Sequence, residues 1–172
     1  MSLKDYAQRK YDYLALQNVQ LKGDNQLGME LFNADTSGKI CAGVQKLAQR
    51  WLLEFLTETG SMPGLPTRGS IFMQLARTGG FRTRRNVETA FAAADMDITR
   101  NLRQEETTDM PADERFGAAT LVSAAVMPGD LEVFDQSAFE ASTSAVYLNI
   151  TVKIISAAGT DYTIIFPVET LP

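Results

Sequence analysis

Five carboxylates crowd residues 105–114: Glu105, Glu106, Asp109, Asp113 and Glu114. Paired carboxylates cleave glycosidic bonds when one is desolvated and protonated and the other stays ionised. The stretch is polar throughout, with little apolar company to raise a pKa, so it reads as a solvated loop. Asp95 and Asp97 stand two apart in a helical pattern and face different sides. Glu54 and Glu58 stand four apart and share a helix face, for which solvation is the ordinary explanation. The enzyme reading these residues leave as an alternative is a carboxylate-dependent glycosidase acting on peptidoglycan.

Composition removes other chemistries. The chain has 172 residues and no histidine, so no Ser-His-Asp or Cys-His machinery and no imidazole-dependent zinc site can form. Cys41 is the single cysteine; it allows no intrachain disulfide and no thiolate cluster, and it reads as a small buried hydrophobe among apolar helix positions. Gly60, Gly64 and Gly69 lack the Gly-Lys-Ser/Thr ending of a phosphate loop, and Gly79-Gly80 lies between helices rather than after a strand. No cofactor and no metal is expected. The net charge is −5, which argues against nonspecific nucleic-acid binding. Residues 116–172 hold one basic side chain, Lys153, against six acidic ones, so the acidic excess sits in the last third. Arg77, Arg82, Arg84 and Arg85 cluster near a helix start, where positive charge is mildly unfavourable; the cluster reads first as a solvent-exposed patch, next as a site compensated by an acidic surface of this chain or of a protein partner, and last as a nucleic-acid contact. No apolar run of 18 residues occurs and no apolar signal-peptide core follows the N-terminus, so no membrane partner is expected.

These residues hang on a simple order of elements. Tyr11, Tyr13, Ala15, Gln17 and Val19 alternate, Lys22-Gly23-Asp24-Asn25 has turn chemistry, and Leu27, Met29 and Leu31 alternate again, which predicts an N-terminal β-hairpin. Ile40, Val44, Leu47, Trp51 and Phe55 follow helical spacing and predict a helix over about residues 38–58, capped by Asp35, Thr36 or Ser37 and stopped at Thr59-Gly60. Residues 60–70 hold three glycines and two prolines and read as a structured loop. Ser70 is expected to cap a short helix ending at Gly79-Gly80. Thr83 is expected to cap a second long helix through Val87, Phe91, Ala94, Ile98 and Leu102.

The last third turns to strands. Residues 118–127 are apolar and β-prone. Val146, Leu148, Ile150, Val152 and Ile154 alternate with polar residues over 145–155, residues 157–161 reverse the chain, and Tyr162, Ile164, Phe166 and Val168 alternate in the partner strand. The fold class predicted is α+β, two long helices packed on an antiparallel sheet with an N-terminal hairpin. The domain division is 1–36 for the hairpin extension and 37–172 for the α+β domain.

This order resembles the baseplate wedge family of contractile-tail bacteriophages, long called lysozyme-like, which includes a baseplate subunit of type VI secretion systems. The resemblance covers roughly residues 40–168. It is carried by the helix running into Thr57-Glu58-Thr59-Gly60, the loop and short helix of Met62-Pro63-Gly64-Leu65-Pro66-Thr67-Arg68-Gly69-Ser70-Ile71-Phe72, the second helix, and the closing hydrophobic hairpin. The family's Glu-Pro-Arg turn is matched by Asp113-Glu114-Arg115, which lacks the proline. The resemblance implies a structural subunit rather than an enzyme. It implies a place in the virion, in the tail baseplate, after assembly in the host cytoplasm. The implied partners are other wedge proteins and the tail sheath protein, with hub or tube proteins as further candidates. Glu114 and Arg115 would contact a wedge partner or brace the loop that does. The hairpin, through Val146, Leu148, Ile150, Tyr162, Ile164 and Phe166, would receive the sheath by strand addition, since an edge strand presents unpaired N–H and C=O groups.

Overall fold

The computed structural model describes residues 12–13, 16–17, 28–29, 40–81, 83–127 and 146–170. The apolar stripe of the first helix produces α1, Val44–Leu56, and buries Leu47, Ala48, Trp51, Leu52 and Phe55. α1 starts later than its periodicity suggests. Ile40–Cys41 forms a strand, β4, paired antiparallel with β1, Asp12–Tyr13. Gly43 then takes φ 63°, ψ −144°, a conformation open to glycine that breaks the helical path. Cys41 is therefore a strand residue, but it is buried as expected, and burial pushes its thiol pKa up. The proposed caps Asp35, Thr36 and Ser37 lie outside the described residues.

α1 ends at Leu56, before Thr59-Gly60, because the chain turns off to meet a distant segment. The Ser70 N–H donates to the Thr57 carbonyl (2.8 Å) and the Thr59 N–H to the Ser70 carbonyl (3.2 Å). Gly69 sits at φ 93°, and a Cβ there would lie 2.4 Å from the Thr57 oxygen, so the close approach needs glycine. Ser70 serves both sides of the junction: its hydroxyl donates to the Phe55 carbonyl (2.8 Å) and accepts from the Phe72 N–H (3.3 Å). The short helix α2, Phe72–Arg77, follows. Thr83 caps α3, Arg84–Glu105, by accepting from the Asn86 N–H at 3.2 Å. α3 buries Val87, Ala90, Phe91, Ala94, Ile98 and Leu102 along one face.

Three antiparallel strands complete the domain: β5, Phe116–Met127; β6, Val146–Ser156; and β7, Asp161–Thr170, in spatial order β5-β6-β7. Leu148, Ile150, Val152 and Ile154 of β6 and Ile164, Phe166 and Val168 of β7 turn one face to the helices. The architecture is α+β. Phe55 is the meeting point. Its ring lies 4.5 Å from Phe72, 4.9 Å from Trp51 and 5.8 Å from Phe91, and meets Phe166 edge-on at 5.5 Å. One residue thus touches α1, α2, α3 and the sheet. Of the expected N-terminal hairpin, β2 (Leu16–Gln17) pairs antiparallel with β3 (Gly28–Met29); the rest of that segment lies outside the described residues.

Replacing Phe55 by alanine is expected to cost about 3–5 kcal/mol, because the cavity opens between four elements. Met96→Ala, at an exposed α3 position, is expected to change stability by less than about 0.5 kcal/mol. Urea unfolding of the two variants checks both values.

Candidate interaction surface

The turn carrying Glu114 and Arg115 is not a solvated one. Glu114 is 3% exposed. Its Oε1 accepts from the Gly43 N–H at 3.3 Å and its Oε2 from Lys46 Nζ at 3.0 Å. A carboxylate from 71 residues away thus closes the first turn of α1, the end of a helix that favours negative charge. Glu114 has no free surface to offer a partner; its carboxylate ties the turn to the start of α1. The Arg115 carbonyl accepts from the Ala157 N–H (2.9 Å) and the Ala112 carbonyl from the Ala158 N–H (3.2 Å), clipping the turn onto the β6–β7 reversal. Arg115 itself is half-buried, with its Nε enclosed and lacking a hydrogen-bond partner among the described residues.

The carboxylates that suggested acid–base chemistry are engaged otherwise. Glu105 is not in a loop; it is the last residue of α3. It bonds Arg50 (2.6 Å) and Arg68. Burial opposes its charge, but the hydrogen bonds from Arg50 and Arg68 outweigh it and hold the carboxyl below the usual glutamate value. Glu54 is buried rather than solvated. It pairs with Arg68 and accepts from the Gly69 N–H (3.0 Å) and Asn101 Nδ2 (3.2 Å). Asn101 also donates to the Thr67 carbonyl (3.3 Å). These contacts fasten residues 67–69 between α1 and α3. Glu106 accepts from the Phe116 N–H at 2.6 Å, and Glu58 binds Arg77 at 2.8 Å. A general acid needs a raised pKa beside an ionised partner; Glu105 is shifted the other way. Asp95 is raised by burial, against a hydrogen bond from Trp51 Nε1 (3.3 Å), and its bonded neighbour is an indole rather than a second carboxylate.

Two members of the basic cluster find acids within the chain, Arg77 on Glu58 and Arg84 on Glu88, each at 2.8 Å, while Arg85 is exposed. Arg82 lies outside the described residues. Among the described residues, no group of three or more His, Cys, Asp and Glu side chains could hold a metal, and no helix is long and apolar enough to cross a membrane.

Of the six hairpin residues, the five whose side chains are described fall in or against the core; the side chain of Val146 lies outside the described residues. Leu148, Ile150 and Phe166 are fully buried, Ile164 is 7% exposed, and Tyr162 is half-buried against the core. β6, which carries Val146, Leu148 and Ile150, is the middle strand, with its backbone paired on both sides. The side chains of Leu148, Ile150, Ile164 and Phe166 are therefore unavailable to a partner. What the sheet offers is backbone: no described strand pairs with the outer edge of β5 or of β7. A groove of about 310 Å³ also runs between α3 and β5, lined by Arg84, Glu88, Phe91, Leu121 and Val122 among others. Neither the groove nor the clasp around Glu54 follows from periodicity, because both depend on long-range packing.

Two carboxylate variants are expected to respond oppositely to pH. The contribution of Glu105, with its lowered pKa, is complete above the unfolded value of about 4.3 and is lost as pH falls through the folded value. Glu105→Gln should therefore lower the melting temperature at neutral pH, the difference closing in acid. Asp95, with its raised pKa, is unfavourable when ionised, a penalty that disappears below its unfolded value of about 3.9. Asp95→Asn should raise the neutral-pH melting temperature, that gain also fading in acid. Glu114→Ala should cost about 2–3 kcal/mol in urea unfolding, because Lys46 and the Gly43 N–H lose their acceptor.

Compared with family models, with curated proteins and with solved structures, the chain gives no match.

Proposed function

We propose that this chain is a structural baseplate wedge subunit of a contractile phage tail, joining other wedge proteins to the sheath, and that it is not an enzyme. The observation that carries the reading is the sheet: its middle strand is fully paired, and its two outer edges meet no described strand. Unpaired edges are a hazard for a free protein and a ready site for an arm of another chain. The resemblance in element order supplies the identity of that arm, the sheath. The carboxylates add support by their occupation: Glu54, Glu105 and Glu114 hold Arg68, Arg50, Lys46 and two backbone N–H groups.

In this reading the Glu114 turn is a brace. It ties α1 to the β6–β7 reversal and so fixes the sheet relative to the helices. The wedge partners then take surfaces outside that turn, and the β2–β3 pair acts as an addition to the 37–172 domain. The virion is the place of action, and hub or tube proteins are reached through the wedge.

Three measurements test the proposal. The purified protein should give no clearing in a peptidoglycan zymogram; clearing that is abolished by Glu105→Gln without unfolding would contradict it. Coexpressed with the sheath protein of the contractile tail it would belong to in this reading, the protein should co-purify with it, and particles lacking it should fail to nucleate sheath. Normal sheath on such particles would overturn the reading.

A further inference from the structure

The two outer edges of the sheet are not equivalent. β5 is irregular: its register with β6 shifts between Phe116 and Ala118 and again between Leu121 and Ser123. Such bulges bend a strand and disturb the spacing of its outward groups, which discourages addition of a further strand. β7 keeps one register with β6 through all ten residues.

The outward groups of β7 follow from that register. The Ser156 N–H donates to the Thr160 carbonyl at 2.8 Å, so this pair is a bonded one. Bonded and non-bonded pairs alternate in an antiparallel ladder. The next pair, Ile155 with Asp161, is therefore non-bonded, and so are Lys153 with Thr163, Thr151 with Ile165, Asn149 with Pro167, and Tyr147 with Glu169. The N–H and C=O groups of these β7 residues face away from β6. Proline falls on one of these positions, where its missing N–H costs the ladder nothing. The edge thus offers donors at Asp161, Thr163 and Ile165, a gap at Pro167, and a last donor at Glu169.

Side chains narrow the partner further. Asp161, Thr163, Ile165 and Glu169 are all exposed. Asp161 shares Lys153 at 3.2 Å, and Glu169 has no ion pair among the described residues. A second copy of β7 added antiparallel about Ile165 would set Asp161 against Glu169, carboxylate facing carboxylate, which is unfavourable. We propose that β7, and not β5, receives the partner, and that the occupant is an extended segment of another protein with Lys or Arg opposite Asp161 and Glu169 and β-branched or apolar residues opposite Thr163 and Ile165. Pro167 then leaves a gap in the new ladder, so that backbone pairing is densest over residues 161–165 and resumes at Glu169. The assignment rests on the strand-addition reading of the preceding subsection and specifies its site.

The test uses the full chain and a fluorescein-labelled nine-residue probe, Lys-Thr-Val-Thr-Val-Ser-Thr-Ser-Lys, read by fluorescence anisotropy. Ile165→Pro should weaken binding about five- to tenfold, as expected for loss of an edge hydrogen bond and its neighbour. Glu169→Lys, which leaves the backbone untouched, should weaken it about threefold or more, with the loss shrinking at high salt. Pro167→Thr should tighten it by restoring a donor, and Ala119→Pro on β5 should leave it unchanged. Equal binding by wild type, Ile165→Pro and Glu169→Lys overturns the assignment. Loss of binding in Ala119→Pro alone moves the partner to β5, overturning the edge assignment while strand addition survives. A wild-type dimer abolished by Ile165→Pro gives the edge to a second copy and also overturns it. Normal sheath attachment by the β5 and β7 proline variants alike would instead defeat the strand-addition reading itself.

Discussion

The ring of Phe55 is the constraint on which the rest of the structure depends. It lies within van der Waals range of side chains from both other helices and from β7. Aromatic pairs at these distances add about 0.5–1.5 kcal/mol each beyond simple burial. The larger consequence is geometric. With one side chain common to every layer, none of α1, α2, α3 and the sheet can shift without opening a cavity against it. The carbonyl of the same residue accepts the Ser70 hydroxyl, so the Pro/Gly loop is referred to the same point.

Charge does the complementary work at the periphery of that core. Arg68 reaches from the loop to Glu54 on α1 and Glu105 on α3, while Glu114 reaches from the turn before β5 to the start of α1. The Lys46–Glu114 and Arg68–Glu54 pairs are largely buried, whereas Glu105 is exposed; buried pairs add little net stability when compared with apolar replacements, yet removing one partner is costly. Their effect is to select one path for irregular backbone between 57 and 70 and between 106 and 115. That explains why carboxylates spaced as if for catalysis are held in structural contacts: they are distributed among separate junctions, each with its own cation or N–H group.

The legible parts of the chain were those with local periodicity. The stripe of Leu47, Trp51 and Phe55, the Thr83 cap and the alternation from Val146 to Ile154 each describe a single element, and each element formed. At Ile40 a long-range contact overrides local period. Ile40 continues the helical stripe of α1, but a cross-strand pairing with Tyr13 and the break at Gly43 place it in β4. Glu54 and Glu114 are a second case. Their neighbours in sequence are compatible with solvation, and only contacts 15 to 71 residues away bury them. The hairpin was readable as a hairpin, but its apolar face, which suggested a partner, is consumed by the helices; edge availability is a property of strand order, and strand order is not periodic.

What remains for a partner is main chain rather than a hydrophobic face. The most direct measurement is amide hydrogen exchange, resolved to single residues, on the free protein and on the protein bound to sheath. Fast exchange is expected at Thr163 and Ile165 in the free protein and strong protection of both on binding, with the alternate β7 amides of Ile164 and Phe166 protected in both states. Protection of Thr163 and Ile165 already present in the free protein, or no change there on binding, would contradict strand addition at β7.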